Sequence, residues 1–201
     1  MKRQITTRAT AECESNPDFA SVRVKAVGEG DTPETAHANA EDRAATIHQS
    51  LISTIIPEEQ IHKSGVRVEE VSEILGHDSD AEYRSTETLH VECDPETVSE
   101  IFKIATGSGG TVSQVRFKLY DDVRDSLQEE AISAALNRSR KKAERIATVE
   151  GLEIDGVQEV TTSEAETDAL FEEEWMEETN LHPGPITVSE TVEVTYEFSD
   201  G

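Results

Sequence analysis

The sequence predicts an α+β fold, a mainly antiparallel sheet with helices packed on it, in the order ββ-α-ββ-α-β-α-β-β. Three observations predict it. Several stretches alternate apolar and polar residues with the two-residue period of half-buried strands. Three others repeat apolar residues every three or four positions, the period of an amphipathic helix. The strands also come in pairs separated by short turn signals, which favours antiparallel neighbours over the strand–helix alternation of a doubly wound parallel sheet.

The first strand spans residues 4–13, with Ile5, Thr7, Ala9, Ala11 and Cys13 on one face and Thr6, Arg8, Thr10 and Glu12 on the other. Asn16-Pro17-Asp18 is a turn signal, and alternation resumes over 19–27 through Val22, Val24 and Ala26. The reading makes these two strands a hairpin. Gly28-Glu29-Gly30 breaks the second strand; Asp31 or Thr32 then caps a helix whose first position is Pro33, and with Asp31 as the cap Glu34 has box-like spacing. Ala36, Ala40, Ala44, Ile47, Leu51 and Ile55 form its stripe, and its small alanines suit close approach to a sheet, until Pro57 ends it.

Residues 61–74 hold the alternating Val66 and Val68, and 82–93 hold Tyr83, Leu89, Val91 and Cys93 in phase. The run Gly76-His77-Asp78-Ser79-Asp80 between them is a turn, giving a second hairpin. Asp94-Pro95-Glu96 opens a short helix carrying Val98, Ile101, Phe102 and Ala105; Gly107-Ser108-Gly109-Gly110 stops it, and Val115, Phe117 and Leu119 mark a strand entered near Val112. A long helix follows over 122–149, with Val123, Leu127, Ala131, Ala135, Ala143, Ile146 and Ala147 on or near one face and Gly151 as its stop. A short strand over 154–161 and a closing strand complete the order. The latter sets Val188, Val192, Val194, Tyr196 and Phe198 inward, with Thr191, Glu193, Thr195 and Glu197 outward. No extended linker divides the chain, so the expectation is one domain over 1–201 with an intensely acidic excursion at about 163–184.

Charge narrows the function. The 201 residues carry 43 acidic against 18 basic side chains, a formal charge of -25. Such charge repels itself and destabilises a compact state at low ionic strength, whereas concentrated salt shortens the screening length to about 3 Å or less. A folded protein adapted to salt reconciles this acidity with the regular apolar periodicity; the alternative is an ordinary acidic protein whose charge serves solubility or a cationic partner. The same charge argues against a nucleic-acid partner, because phosphate binding needs a positive surface. The one basic cluster, Arg138, Arg140, Lys141, Lys142 and Arg145, lies late in the long helix, where cations suit the helix dipole and can pair with nearby acids, an acidic partner or phosphate ligand being the alternative. No segment is long and apolar enough to cross a bilayer, and no apolar run follows the basic residues at the start. The expected location is therefore cytoplasmic, or extracytoplasmic if a leader has been removed.

Candidate chemistry is sparse. The glycine-rich 107–110 run connects a helix to a strand and lacks a lysine, the reverse of a phosphate-cradling loop. The six histidines, His37, His48, His62, His77, His90 and His182, lack zinc-site spacing. His77 with Asp78, Asp80 and Glu82 has hard-cation donors but not a calcium-loop pattern, so a solvated turn is the reading. No nucleophile elbow is present, and Asn137-Arg138-Ser139 falls within a helix, which rejects it as a glycosylation acceptor. Cys13 and Cys93 are expected as buried free thiols, with a bridge between them the alternative. No catalytic, cofactor-binding or metal-binding residue and no cofactor are assigned. The sharpest candidate is Leu170, Phe171, Trp175 and Met176, an aromatic segment in the most acidic stretch. It either packs back on the domain edge or contacts another chain.

The order of these elements resembles the SIMPL-domain family, named after a signalling molecule associated with a pelle-like kinase. The resemblance rests on the strand–Pro17-Asp18–strand opening, the alanine-rich helix over 35–53, and the 57–67 entry to the next strand. It continues in the glycine-led strand from Gly110 through Val115 to Phe117, the long helix over 125–150, and the ending through Pro185, Val188, Val192 and Tyr196. Bacterial members are mostly periplasmic or surface proteins, some known as outer-membrane antigens or stress-related proteins, and at least one resembles a ring-like oligomer. The acidity suggests a member from a halophilic archaeon. The resemblance supplies no catalytic residues. It implies a noncatalytic assembly or protein-interaction module with an envelope- or stress-related role, whose partner is itself or another protein. The alternative is a small-ligand binder or enzyme with a site assembled from distant residues.

Overall fold

The computed structural model describes residues 3–54, 56–71, 81–164 and 183–200. The predicted element order is realised: β1 (Arg3–Ser15), β2 (Phe19–Gly30), α1 (Pro33–Thr54), β3 (Ile61–Glu70), β4 (Tyr83–Cys93), α2 (Val98–Gly107), β5 (Thr111–Lys118), α3 (Asp121–Glu150), β6 (Leu152–Glu164) and β7 (Ile186–Asp200). All strand pairs are antiparallel. The chain forms two compact units, one of residues 1–16, 119–179 and 184–201, the other of 17–118 and 180–183.

The larger unit holds a sheet ordered β3-β4-β2-β5 with α1 and α2 packed on it. Its central strand β2 buries Ala20, Val22, Val24 and Ala26 completely. Thr32, not Asp31, caps α1: its Oγ1 accepts from the Thr35 amide at 3.2 Å. Ala36, Ala40, Ala44, Ile47 and Leu51 then face the sheet, fully buried; Ile55 lies outside the described residues. Small residues on both partners allow close approach. A Cβ added to Gly28 would stand 2.2 Å from the Ala40 amide nitrogen and 2.5 Å from the Ala36 carbonyl oxygen. Larger side chains take over farther along, where Ile47, Leu51, Leu89 and Ile101 fill the core, each contributing about 1.5–3 kcal/mol.

The 107–110 run is a helix stop, as predicted. Gly110 N–H donates to Ala105 O and Gly109 N–H to Thr106 O, a Schellman pair that places Gly109 at φ 83°. A β-bulge in the β2–β5 pairing between Arg23 and Val24 puts Val112 opposite Val24 and Val115 opposite Val22. The extra residue brings both valines to one face despite their odd spacing.

The second unit holds a sheet ordered β1-β7-β6 with α3 packed on it. Ala131, Ala135, Ala143 and Ala147 are buried, and Ser139 completes their four-residue spacing with no exposure. Its hydroxyl lies 2.6 Å from Thr7 Oγ1 and 3.3 Å from Tyr196 Oη, which satisfies it inside the stripe. Ile146, predicted near that face, is 39% exposed. Gly151 ends the helix at φ 67° with its N–H on Ala147 O.

The first hairpin expectation is corrected. β1 and β2 are not a hairpin: β1 pairs along its whole length with β7, while β2 is flanked by β4 and β5. A strand with its inner face fully buried and both edges occupied has no edge left for β1. The β3–β4 pairing is antiparallel, as the second hairpin requires; its predicted turn at 76–80 lies outside the described residues. Thr191, predicted outward, is buried at 6% exposure, with its hydroxyl 2.8 Å from that of Thr10.

Cys13 and Cys93 are free thiols, the first half-buried and the second buried. Burial, followed by the charge of Asp94, pushes the Cys93 thiol up to about 11.

Two predictions concern this core. Gly28→Ala, for want of space against α1, is expected to destabilise the chain by roughly 2–4 kcal/mol in urea unfolding, while Gly65→Ala, which meets nothing within 4 Å, shifts it by less than about 0.5 kcal/mol. Cys93 holds its proton more tightly folded than unfolded, so its contribution is fully present below pH ~9 and is lost as pH rises from there to about 11. Urea midpoints across that range are expected to fall less in Cys93→Ala than in the unmodified chain.

Candidate functional site

Four strands form sheet edges: β3 and β5 in one sheet, β1 and β6 in the other. An edge strand offers unpaired amides and carbonyls to any other chain, so what lies along each edge decides what this protein can contact. The basic cluster of α3 serves one of them. Arg138 Nη1 donates to Thr10 O and Lys142 Nζ to Arg8 O, each at 2.7 Å, covering alternate carbonyls of β1. Arg140 pairs with Glu144 at 3.1 Å on the exposed helix surface, a contact worth about 0.3–0.5 kcal/mol. Helix pairing was expected of this cluster; closure of a strand edge was not legible, because it depends on where the helix lies.

A similar device operates where β2 runs on past the end of β5. Arg43 donates to Val27 O at 2.6 Å and Asn39 to Glu29 O at 2.8 Å. Beside them lies a groove of about 610 Å³ lined by Val27, Gly28, Glu29, Asn39, Asp42, Arg43, Thr46 and Ser108. Among the described residues it gathers two carboxylates and no histidine, and two of its polar side chains are engaged by the strand.

The remaining edges differ in charge. β5 carries Arg116 and Lys118 without an acid, and β6 carries Glu153, Asp155, Glu159 and Glu164 without a base. β3 carries His62 and Lys63 at its start, Arg67 beyond its middle, and Glu69 and Glu70 at its end. No side chain among the described residues donates to a β3 backbone carbonyl.

β3 is also bare on its inner face. Val66 and Val68 stand opposite Glu87 and Ser85 of β4, and so share the face that carries α1. The helix does not cover them: Val66 is 52% and Val68 43% exposed. With Pro33, Glu34 and His37 from the start of α1 they line a shallow groove of about 290 Å³. The alternating run predicted a strand correctly, but its valines do not join the core.

Beside that groove the buried face of β4 is polar. Ser85 is fully buried and Glu87 is 3% exposed. Lys63 Nζ reaches Glu87 Oε1 at 2.7 Å, while Glu87 Oε2, Ser85 Oγ and His37 Nδ1 have no hydrogen-bond partner among the described residues. An unsatisfied buried polar atom costs about 1–3 kcal/mol, so this corner of the sheet is held less firmly than the apolar core. Its signal in the sequence is the polar pair at 85 and 87 inside an otherwise apolar phase.

On the other face His90 lies opposite both Arg23 and His62. Burial, then Arg23 and Lys118, holds its imidazole below the usual histidine range, and Arg23 Nε donates to His90 Nε2 at 3.3 Å. Leu170, Phe171, Trp175 and Met176, the predicted contact segment, lie outside the described residues, as do His77, Asp78, Asp80 and His182. Among the described residues no group of three or more histidines, cysteines or carboxylates is placed to hold a metal, and no helix is long and apolar enough to cross a membrane.

No curated protein matches this chain. A family model does: SIMPL, described as a protein of unknown function (DUF541), matches residues 5–196. That match takes in elements of both units from β1 to β7, and the chain belongs to the SIMPL family.

Proposed function

We propose that this protein is a noncatalytic assembly or interaction module that works through an open sheet edge. The observation that carries the reading is the contrast between edges. β1 and the overhang of β2 have carbonyls covered by side chains of their own unit, whereas no side chain among the described residues donates to a β3 carbonyl and two of its valines are exposed. Strand addition at such an edge gives affinity through main-chain hydrogen bonds and selectivity through alternate side chains. An envelope- or stress-related role fits the family resemblance and remains part of the proposal, as does the cytoplasmic or extracytoplasmic setting. The acidic sequence supports a halophilic setting, in which salt screens the repulsion between copies.

The competing reading, a small-ligand binder or enzyme, draws its support from the groove of about 610 Å³ beside Arg43. Two polar side chains of its lining, Asn39 and Arg43, are already engaged by carbonyls of β2, so the edge is favoured.

Light scattering after size exclusion, in roughly 2–3 M potassium chloride to screen charge, is expected to show a discrete oligomer or a retained protein partner. A strict monomer that retains no protein would count against the assembly reading and turn attention to the groove. Urea stability is expected to rise from low salt to several molar potassium chloride; an unchanged midpoint would sink the halophilic reading.

A further inference from the structure

We infer that the helix-free face of the β3-β4-β2-β5 sheet is a docking surface for a short, extended, acidic segment of another polypeptide. The inference concerns a face and not an edge, so it goes beyond the assembly reading and holds whichever edge is used.

Strand register defines the face. Ser21, Arg23 and Lys25 alternate with the buried Ala20, Val22, Val24 and Ala26 of β2, and so point away from α1. On β5, Lys118 stands opposite Phe19 and Arg116 opposite Ser21. On β3, Arg67 stands opposite Thr86, which is itself opposite Val27. Lys118, Arg116, Arg23, Lys25 and Arg67 therefore form a diagonal stripe from β5 to β3. Its alternate residues lie roughly 7 Å apart along a strand, and neighbouring strands about 5 Å apart. Three acids share the registered positions of this face. Glu29 and Glu69 flank Arg84 beyond the far end of the stripe, with Arg84 bonded to Glu29 at 2.8 Å, and Glu92 lies beside Ser21.

Among the described residues none of the five stripe cations has a carboxylate within ion-pair distance. That is unexpected in a chain with 43 acidic and 18 basic side chains. Elsewhere the bases are committed: Arg43, Arg138 and Lys142 to carbonyls, and Lys63, Arg84 and Arg140 to carboxylates. Neutral groups hold part of the stripe instead. Arg23 Nε donates to His90 Nε2 at 3.3 Å, and Lys118 Nζ lies 5.9 Å from the centre of the Phe19 ring. Lys25, Arg67 and Arg116 are exposed. His90 registers the joint field, since after burial Arg23 and Lys118 hold its imidazole below the usual range. Grouped like charges repel one another, and an acidic ligand relieves that repulsion.

The same charges limit the ligand to a short one. With Arg84 the face holds six Lys and Arg against three acids, so the rest of the chain is more negative than its total of -25. A long phosphate polymer would run off the stripe onto that negative surface, whereas a short run of carboxylates ends with it. Alternate side chains of an extended segment also repeat at roughly 7 Å, the spacing of the cations along β5 and β2.

Fluorescence anisotropy on the full chain tests this, at the lowest salt that preserves native circular dichroism. The probe is a labelled peptide of about twelve residues alternating Glu and Ser, long enough when extended to span the stripe; its control alternates Gln and Ser. The acidic peptide is expected to bind at least tenfold more tightly than its control. Lys25→Gln/Arg116→Gln, which alters two exposed residues, is expected to weaken that binding at least tenfold. Lys141→Gln/Arg145→Gln, which removes the same charge from exposed positions of α3, is expected to change it less than twofold. Equal affinity for the two peptides, or equal losses in the two variants, overturns the inference, because attraction would then be absent or a property of net charge alone. Tighter binding of a single-stranded oligothymidylate of matching length through Lys25 and Arg116 overturns the polypeptide partner. Light scattering tests the edge reading separately, so the two fail independently.

Discussion

The rest of this structure depends on one steric constraint: its helices must lie close enough to their sheets for alanine and glycine to make the contact. The chain is 35% hydrophobic and 4% aromatic, so it has few large side chains with which to fill a wide gap. α1 meets β2 through Ala36 and Ala40 over Gly28, and α3 uses Ala131, Ala135, Ala143 and Ala147 with Ser139 among them. Dispersion falls steeply with separation, so small residues hold a helix well only at short range. The larger side chains of the first unit, Ile47, Leu51, Leu89 and Ile101, then pack in the core farther along the same helix and sheet.

Close packing governs the polar groups as well. Ser139 is tolerated within an alanine stripe because Thr7 and Tyr196 lie within hydrogen-bond reach of it. Ser85 and Glu87 occupy the buried phase of β4 without that full provision. Lys63 reaches one Glu87 oxygen across from β3, which ties the exposed edge strand to its neighbour by a charge pair. A buried ion pair offers little net stability over an apolar substitute, yet losing one partner is costly. This arrangement fixes the position of β3 more than it strengthens the core.

Charge supplies a second layer. In a chain so acidic, basic side chains are scarce, and several that the sequence places on helices act on strand carbonyls. Arg43 serves β2, while Arg138 and Lys142 serve β1. Each shields an edge of its own unit from further pairing. β3 differs: its Lys63 reaches Glu87 of the neighbouring strand, and no side chain among the described residues donates to its carbonyls. Edge protection in one place and edge availability in another are two uses of the same limited set of cations.

The elements were legible because their signals are local. A two-residue or four-residue period needs no knowledge of the rest of the chain, and Thr32, Gly109 and Gly151 cap or stop helices through bonds to residues a few positions away. Family membership was legible for a related reason, since it follows from the order of those elements. The candidate site was legible only as a strand with valines in alternation: the sequence could not tell that α1 would stop short of Val66 and Val68, nor that Ser85, Glu87 and Thr191 would be buried. By itself, then, the sequence determined which segments are helix or strand, where they end and how strongly acidic the surface must be. The tertiary structure alone decided that β1 joins β7 instead of β2, which edges are covered and which valines stay exposed. The physical reason is that strand backbones offer nearly identical hydrogen-bonding edges, so partners are selected by how distant faces pack, a property no local period contains.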